Sequence, residues 1–164
     1  MISQRLLQSL RRLGFLNKQT AFNLAEYDET IREVLDSGGA FRIYPRGTSM
    51  LPLLREGVDS VMLEKPDDVL KKGDIAFYRR DNGGYVLHRV IKAKDGYVMC
   101  GDNHLMLEKG IEQRQIIGRV CAIYRGDKQL PMNGLKYRFY CLLWKSFFIR
   151  RVYFRLRSLK NGRK

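Results

Sequence analysis

The stretch YVLHRVIKAKDGYVMCGDN, Tyr85 to Asn103, decides how this chain is read. Two runs rich in Val, Ile, Leu and Tyr, YVLHRVIKA (85–93) and GYVMCG (96–101), meet at KDG (94–96). β-branched and aromatic side chains suit a pleated surface, and an Asp-Gly pair accepts the positive φ of a tight hairpin turn. A β-hairpin is therefore expected. Strand side chains alternate, so Val86, His88 and Val90 share one face. Gly101-Asp102-Asn103, directly after the second run, is turn chemistry.

Outward from the hairpin the same pattern repeats. FRIYPR (41–46), VDSVMLEK (58–65), DIAFYR (74–79) and IIGRVCAIYR (116–125) are short β-like runs, and DNGG (81–84) is a second hairpin turn. They predict a mainly β fold over residues 40–127: a compact antiparallel sheet folded on itself, or a small barrel. Residues 1–39 read as helical. Ile2, Leu6, Leu10 and Leu13, with Leu7 alongside, mark one helix face. A second helix spans Leu24 to Leu35, with Ile31, Val34 and Leu35 apolar, and DSGG (36–39) stops it. Residues 128–164 read as a basic, aromatic helical tail, helical from about Gly134. No internal repeat or low-complexity tract is present.

The 164 residues are 45 % hydrophobic, as expected of a chain with a core, and carry a formal net charge of +14. The charge is concentrated. From Lys128 onward there are 11 Lys and Arg and no Asp or Glu, which leaves 20 basic against 17 acidic residues before it. A tail of this kind suits an acidic partner. Its Trp144, Phe147, Phe148, Tyr153 and Phe154, set among the cations, suit a membrane surface over residues 136–160. Packing on the β body with a wet basic face explains them as well. Nucleic acid is the weaker partner, because the apolar residues are large and contiguous.

Three widely spaced cysteines, Cys100, Cys121 and Cys141, make neither a disulfide framework nor a zinc site, and predict reduced, buried thiols. No metal or cofactor is expected. MISQRLLQSLRRLGFL (1–16) is interrupted by Arg5, Arg11 and Arg12 and offers no secretory signal. The most apolar run, FYCLLWKSFFI (139–149), contains Lys145 and is shorter than the ~20 residues that cross a bilayer. The expected location is cytoplasmic, or peripheral on the cytoplasmic membrane face.

Three residues invite chemistry: Ser49 in GTSMLP (47–52), His88 in VLHRV (86–90) and Asp102 in CGDN (100–103). A serine hydroxyl attacks well only when a base takes its proton, and histidine titrates in the right range. A carboxylate then fixes the imidazole tautomer. Each also has an ordinary role: Ser49 and Asp102 as turn residues, His88 as a hydrogen-bonded core residue. His104 adds no metal-ligand spacing.

Taken in order, the motifs resemble the signal peptidase I superfamily, which includes the LexA-like self-cleaving peptidases. GTSMLPLLREGV (47–58) is similar to the nucleophile box, LKKGDIAFYR (70–79) to the strand that follows, YVLHRVI (85–91) to the base box, MCGDN (99–103) to the Gly-Asp-Asn box and IIGRV (116–120) to the late core strand. The similarity covers about residues 40–125. Most members carry a lysine base; His88-Arg89 resembles the Ser-His branch, ER-type or SipW-like. The resemblance implies a β peptidase core with Ser49 as nucleophile, His88 as base and Asp102 orienting His88, with Glu108 as a possible second acid. It implies an oxyanion site built on the Ser49 N–H and a second donor, and an apolar substrate rim of Met50, Leu51 and Pro52; core packing is the other role open to these three, and for Met50 an equal one.

Other features of that superfamily are not expected from these 164 residues: an N-terminal membrane helix, a helix-turn-helix, or a self-cleavage site within easy reach of Ser49. Two functions follow as expectations. One is a serine endopeptidase that cleaves a signal- or leader-like peptide segment. The other is a non-catalytic binding module of the same fold, attached to membrane or nucleic acid through its tail.

Overall fold

The computed structural model describes residues 24–144 and 146–161; the first predicted helix, Ile2 to Leu13, lies outside the described residues. Helix α1 (Leu24–Asp36) is followed by strands β1 (Phe41–Ile43), β2 (Asp59–Glu64), β3 (Ile75–Arg79), β4 (Tyr85–Ala93), β5 (Tyr97–Cys100) and β6 (Glu108–Ile111). A 3-10 turn (Gln113–Gln115), β7 (Ile116–Arg125), β8 (Lys128–Leu130) and helices α2 (Leu135–Trp144) and α3 (Phe147–Asn161) complete the order.

The strands form one antiparallel sheet in the order β1-β2-β7-β3-β4-β5-β6, with β8 also on β7. Ten-residue β7 is its spine. It pairs with β2 along one edge, while its first half meets β3 and its second half β8. Register shifts interrupt the β2–β7, β3–β7, β4–β5 and β5–β6 ladders, and such irregularities bend and twist a sheet. The hairpin on which the sequence reading turned is present. β4 and β5 pair with Ala93 opposite Tyr97, and the turn uses positive φ at Asp95 (56°) and Gly96 (89°).

Alternation along the strands splits the buried residues into two clusters. Ile75 and Phe77 of β3 join Ile31 and Leu35 of α1, Val61, Leu63, Leu87, Ile117, Val120 and Ile123. Ala76 and Tyr78 of β3 join Val90, Tyr97, Met99, Ile111 and Ile116. The antiparallel, mainly β architecture is the one the turn signals predicted. β1 stops at Ile43, ahead of Pro45, which has no N–H to give a ladder.

The sequence reading missed three features. β6, EKGI, has no alternating pattern and an internal glycine. β8, KQL, lies inside the segment assigned to the helical tail, so the sheet extends past residue 127 to Leu130. The tail is two helices rather than one. Ser146 divides them, its hydroxyl accepting a hydrogen bond from the Ile149 N–H (3.4 Å) as an N-cap does. Cys100 is buried as expected, but Cys121 and Cys141 are only half-buried, and all three are free thiols.

Leu63 has no exposed surface in the larger cluster. Leu63→Ala is expected to cost about 2–5 kcal/mol of stability, read from the urea unfolding midpoint.

Candidate active site

Ser49 sits half-buried in the loop between β1 and β2. Gly47 gives this loop a positive φ of 85°, and its N–H donates to the Glu56 carboxylate (2.9 Å). Met50 and Leu54, both 3 % exposed, pin the loop into the larger core cluster. Met50 is therefore an anchor and not part of a substrate rim, which corrects one expectation: a side chain packed among Leu54 and its neighbours cannot also line a surface. Leu51 is half-buried and Pro52 exposed.

His88 lies in mid β4, 4 % exposed. Gly101 packs against both His88 Nε2 and the Ser49 carbonyl oxygen. A β-carbon on Gly101 would stand 2.7 Å from the Ser49 carbonyl oxygen and 3.0 Å from His88 Nε2. Any side chain there would collide with both, so only glycine lets the two approach. The Asn103 N–H donates to the same Ser49 carbonyl (2.7 Å) and ties the Gly-Asp-Asn loop to the serine loop. Leu105 and Met106 are exposed on the segment that follows.

The other edge of the ring faces Glu108. His88 Nδ1 is 3.1 Å from Glu108 Oε1 and 3.3 Å from the Tyr78 hydroxyl oxygen. Tyr78 donates its single proton to Glu108 Oε2 (2.9 Å). Both neighbours of Nδ1 therefore act as acceptors, so Nδ1 carries the proton and Nε2, unprotonated, lies beside Gly101. Arg80 holds Glu108 from both oxygens, with Nε to Oε2 at 2.7 Å and Nη2 to Oε1 at 2.6 Å.

Asp102, expected to orient His88, does something else. Its carboxylate is fully buried and taken by Arg89 in a two-pronged pair (2.8 and 2.7 Å), by Arg150 (3.1 Å) and by the Tyr140 hydroxyl (2.8 Å). Three strong donors leave it committed, while the acid at His88 Nδ1 is Glu108. Arg150 also donates to the carbonyls of Gly101 (2.8 Å) and Trp144 (2.8 Å), and the Trp144 indole N–H donates to the Asp102 carbonyl (2.9 Å). The C-terminal helices are thereby fastened to the loop that separates Ser49 from His88.

Burial pushes the His88 pKa down to about 4, against the opposing pull of Glu108. Partial burial would raise the Glu108 carboxyl, but the Arg80 and Tyr78 hydrogen bonds outweigh it and hold the group low. At neutral pH the pair is therefore a neutral imidazole beside a carboxylate. Among the described residues no group of three His, Cys, Asp or Glu is placed to hold a metal ion.

Sequence reading missed Tyr78, Arg80, Tyr140 and Arg150. Tyr78 had a usable signal. With the DNGG turn fixing Ala76 opposite His88, Tyr78 falls on the diagonal of the same face. No protein-family model matches the chain, and no curated protein matches it.

His88 titrates lower in the fold than its ordinary value of about 6.5, so the unfolded chain binds the extra proton first. Stability should fall as pH drops from about 6.5 toward 4, then fall further as Glu108 protonates below its ordinary range. Urea unfolding across this range checks it: His88→Gln should flatten the upper part of the slope and leave the lower part in place.

Proposed function

We propose that the protein is a serine endopeptidase that cleaves a signal- or leader-like peptide segment, with Ser49 as nucleophile, His88 as general base and Glu108 as the acid that orients His88. One observation supports the reading: His88 Nε2 and the Ser49 carbonyl oxygen both lie beside Gly101, while His88 Nδ1 is 3.1 Å from a Glu108 carboxylate oxygen. The ordered resemblance to the signal peptidase superfamily supports it too.

In this reading the Ser49 hydroxyl attacks the scissile carbonyl carbon and passes its proton to His88 Nε2. Glu108 stabilises the imidazolium that forms, and His88 then protonates the leaving amine. Water, deprotonated by the same imidazole, hydrolyses the acyl-serine and releases the second product. The Ser49 N–H would be one backbone donor to the developing oxyanion. β1 ends the sheet on one side and runs toward the serine loop, so an extended substrate can pair with its free edge through backbone hydrogen bonds. Pro52, Leu105 and Met106 offer apolar contacts for its side chains.

A peptide library with Ala-x-Ala-like sites tests the proposal. Ser49→Ala and His88→Ala should each reduce turnover by roughly 10³-fold or more while keeping the wild-type melting temperature within a few degrees. Glu108→Gln should lower kcat by about 10²–10⁴-fold, because a carboxylate orienting the base is replaced by a neutral amide. Gly101→Ala should inactivate by driving Ser49 and His88 apart. Equal turnover by wild type and Ser49→Ala would leave the non-catalytic binding module as the better account.

A further inference from the structure

The two C-terminal helices are built inside out. Helix α3 buries Arg150 completely yet leaves Phe148 75 % exposed and Leu156 62 % exposed. Phe148, Val152 and Leu156 recur every four residues, with Ile149 and Tyr153 beside them, so among the described residues one continuous face of α3 is apolar and uncovered. Helix α2 matches it with Leu135, Phe139 and Leu142, all more than 60 % exposed, while Trp144 is buried and Tyr140 reaches inward to Asp102. An ordinary surface helix turns its apolar stripe to the core and its charges to water. Here the inward face is held by ion pairs and hydrogen bonds together with the buried Trp144 and the inward Tyr137, and a second, outward apolar face is left for something else.

The surroundings of that face say what covers it. Lys136, Arg138, Arg151 and Arg155 are exposed on the same two helices, and no Asp or Glu occurs anywhere after Asp127. A second copy of the chain would bring an equally basic surface to the contact and be repelled. Nucleic acid would use the cations and could stack on Phe139 and Phe148, but it would leave the aliphatic Leu135, Leu142, Ile149, Val152 and Leu156, the larger part of the face, without a partner. An anionic bilayer surface takes both kinds of residue at once: aliphatic and aromatic side chains at the acyl boundary, Lys and Arg among the headgroups. No helix among the described residues is long and apolar enough to cross a membrane, so the contact is one of lying on the surface.

We infer that the outer face of α2 and α3 docks the protein on an anionic lipid surface. The inference stands independently of catalysis by Ser49. The docked face would be joined to the Ser49–His88 loop through Arg150, whose guanidinium donates to the Gly101 carbonyl from the opposite side of the same helix.

Co-sedimentation of the full chain with vesicles tests it. The protein should pellet with phosphatidylcholine vesicles containing phosphatidylglycerol, and the bound fraction should fall with added salt and with phosphatidylcholine alone. The double variant Leu142→Gln/Phe148→Gln alters only exposed side chains and should weaken binding about tenfold or more at an unchanged melting temperature. Arg151→Gln/Arg155→Gln should weaken it about tenfold as well. Ser49→Ala should bind as wild type does. Absence of pelleting, or pelleting unaffected by the apolar double variant, overturns the inference. So does concentration-dependent dimerisation, or retention of an RNA oligomer, that the apolar double variant abolishes.

Discussion

Everything around the candidate site depends on one buried carboxylate. Asp102 sits between the guanidinium groups of Arg89 and Arg150, all three without exposed surface. Removing such charges from water costs several kcal/mol per ion, and their mutual attraction offsets this only if every remaining polar atom finds a partner. Here they do. Tyr140 supplies a third donor to Asp102, and the surplus positive charge is spread over the carbonyls of Gly73, Gly101 and Trp144. The cluster binds β4, the loop after β5, α2 and α3 into one unit. Removal of Asp102 would leave two buried guanidinium groups without their counter-charge, the situation that costs most.

Strand alternation lets neighbouring residues serve opposite sides of the sheet. His88 points to the face shared with Tyr78, and Arg89, next in sequence, points the other way to the clamp. The loop after β5 divides in the same manner: Gly101 touches His88 Nε2 while Asp102 turns to Arg89. The register that sets Arg89 opposite Cys100 brings both pairs together at once. A one-residue slip would exchange the faces and destroy site and clamp together. The electrostatics of the site follow from its depth. Burial outweighs the pull of Glu108 on His88, and Arg80 offsets the charge of Glu108, so the pair rests as a neutral imidazole with an ionised but balanced carboxylate.

The local signals in the sequence were enough for the fold and only partly enough for the site. β4 and β7 run over the residues their Val, Ile and Tyr content indicated, because hydrophobic pattern and turn chemistry agree there. β6 and β8 were invisible because they are held by pairing alone: a short edge strand with a glycine, and a three-residue strand completing β7. The tail's helicity was legible, its inversion was not. Arginine is expected on the wet face, and only the tertiary position of Asp102 shows why Arg150 is inside. Met50 was ambiguous for the same reason, since an apolar residue beside a serine serves a rim or an anchor, and neighbours distant in sequence decide which.

The exchange of Asp102 for Glu108 has a geometric cause. Nε2 and Nδ1 lie on different edges of the imidazole ring. Once Gly101 lies against Nε2, the backbone that carries Asp102 is committed to that edge, and its side chain, one residue on, leaves for the opposite face. An acid at Nδ1 has to come from an element on the ring's other side, and β6 is that element, paired to β5 and starting at Glu108. Two carboxylates close in sequence to the Gly-Asp-Asn turn thus take opposite tasks. One holds the loop's shape in a dry, doubly cationic socket. The other, still partly in contact with water, faces His88.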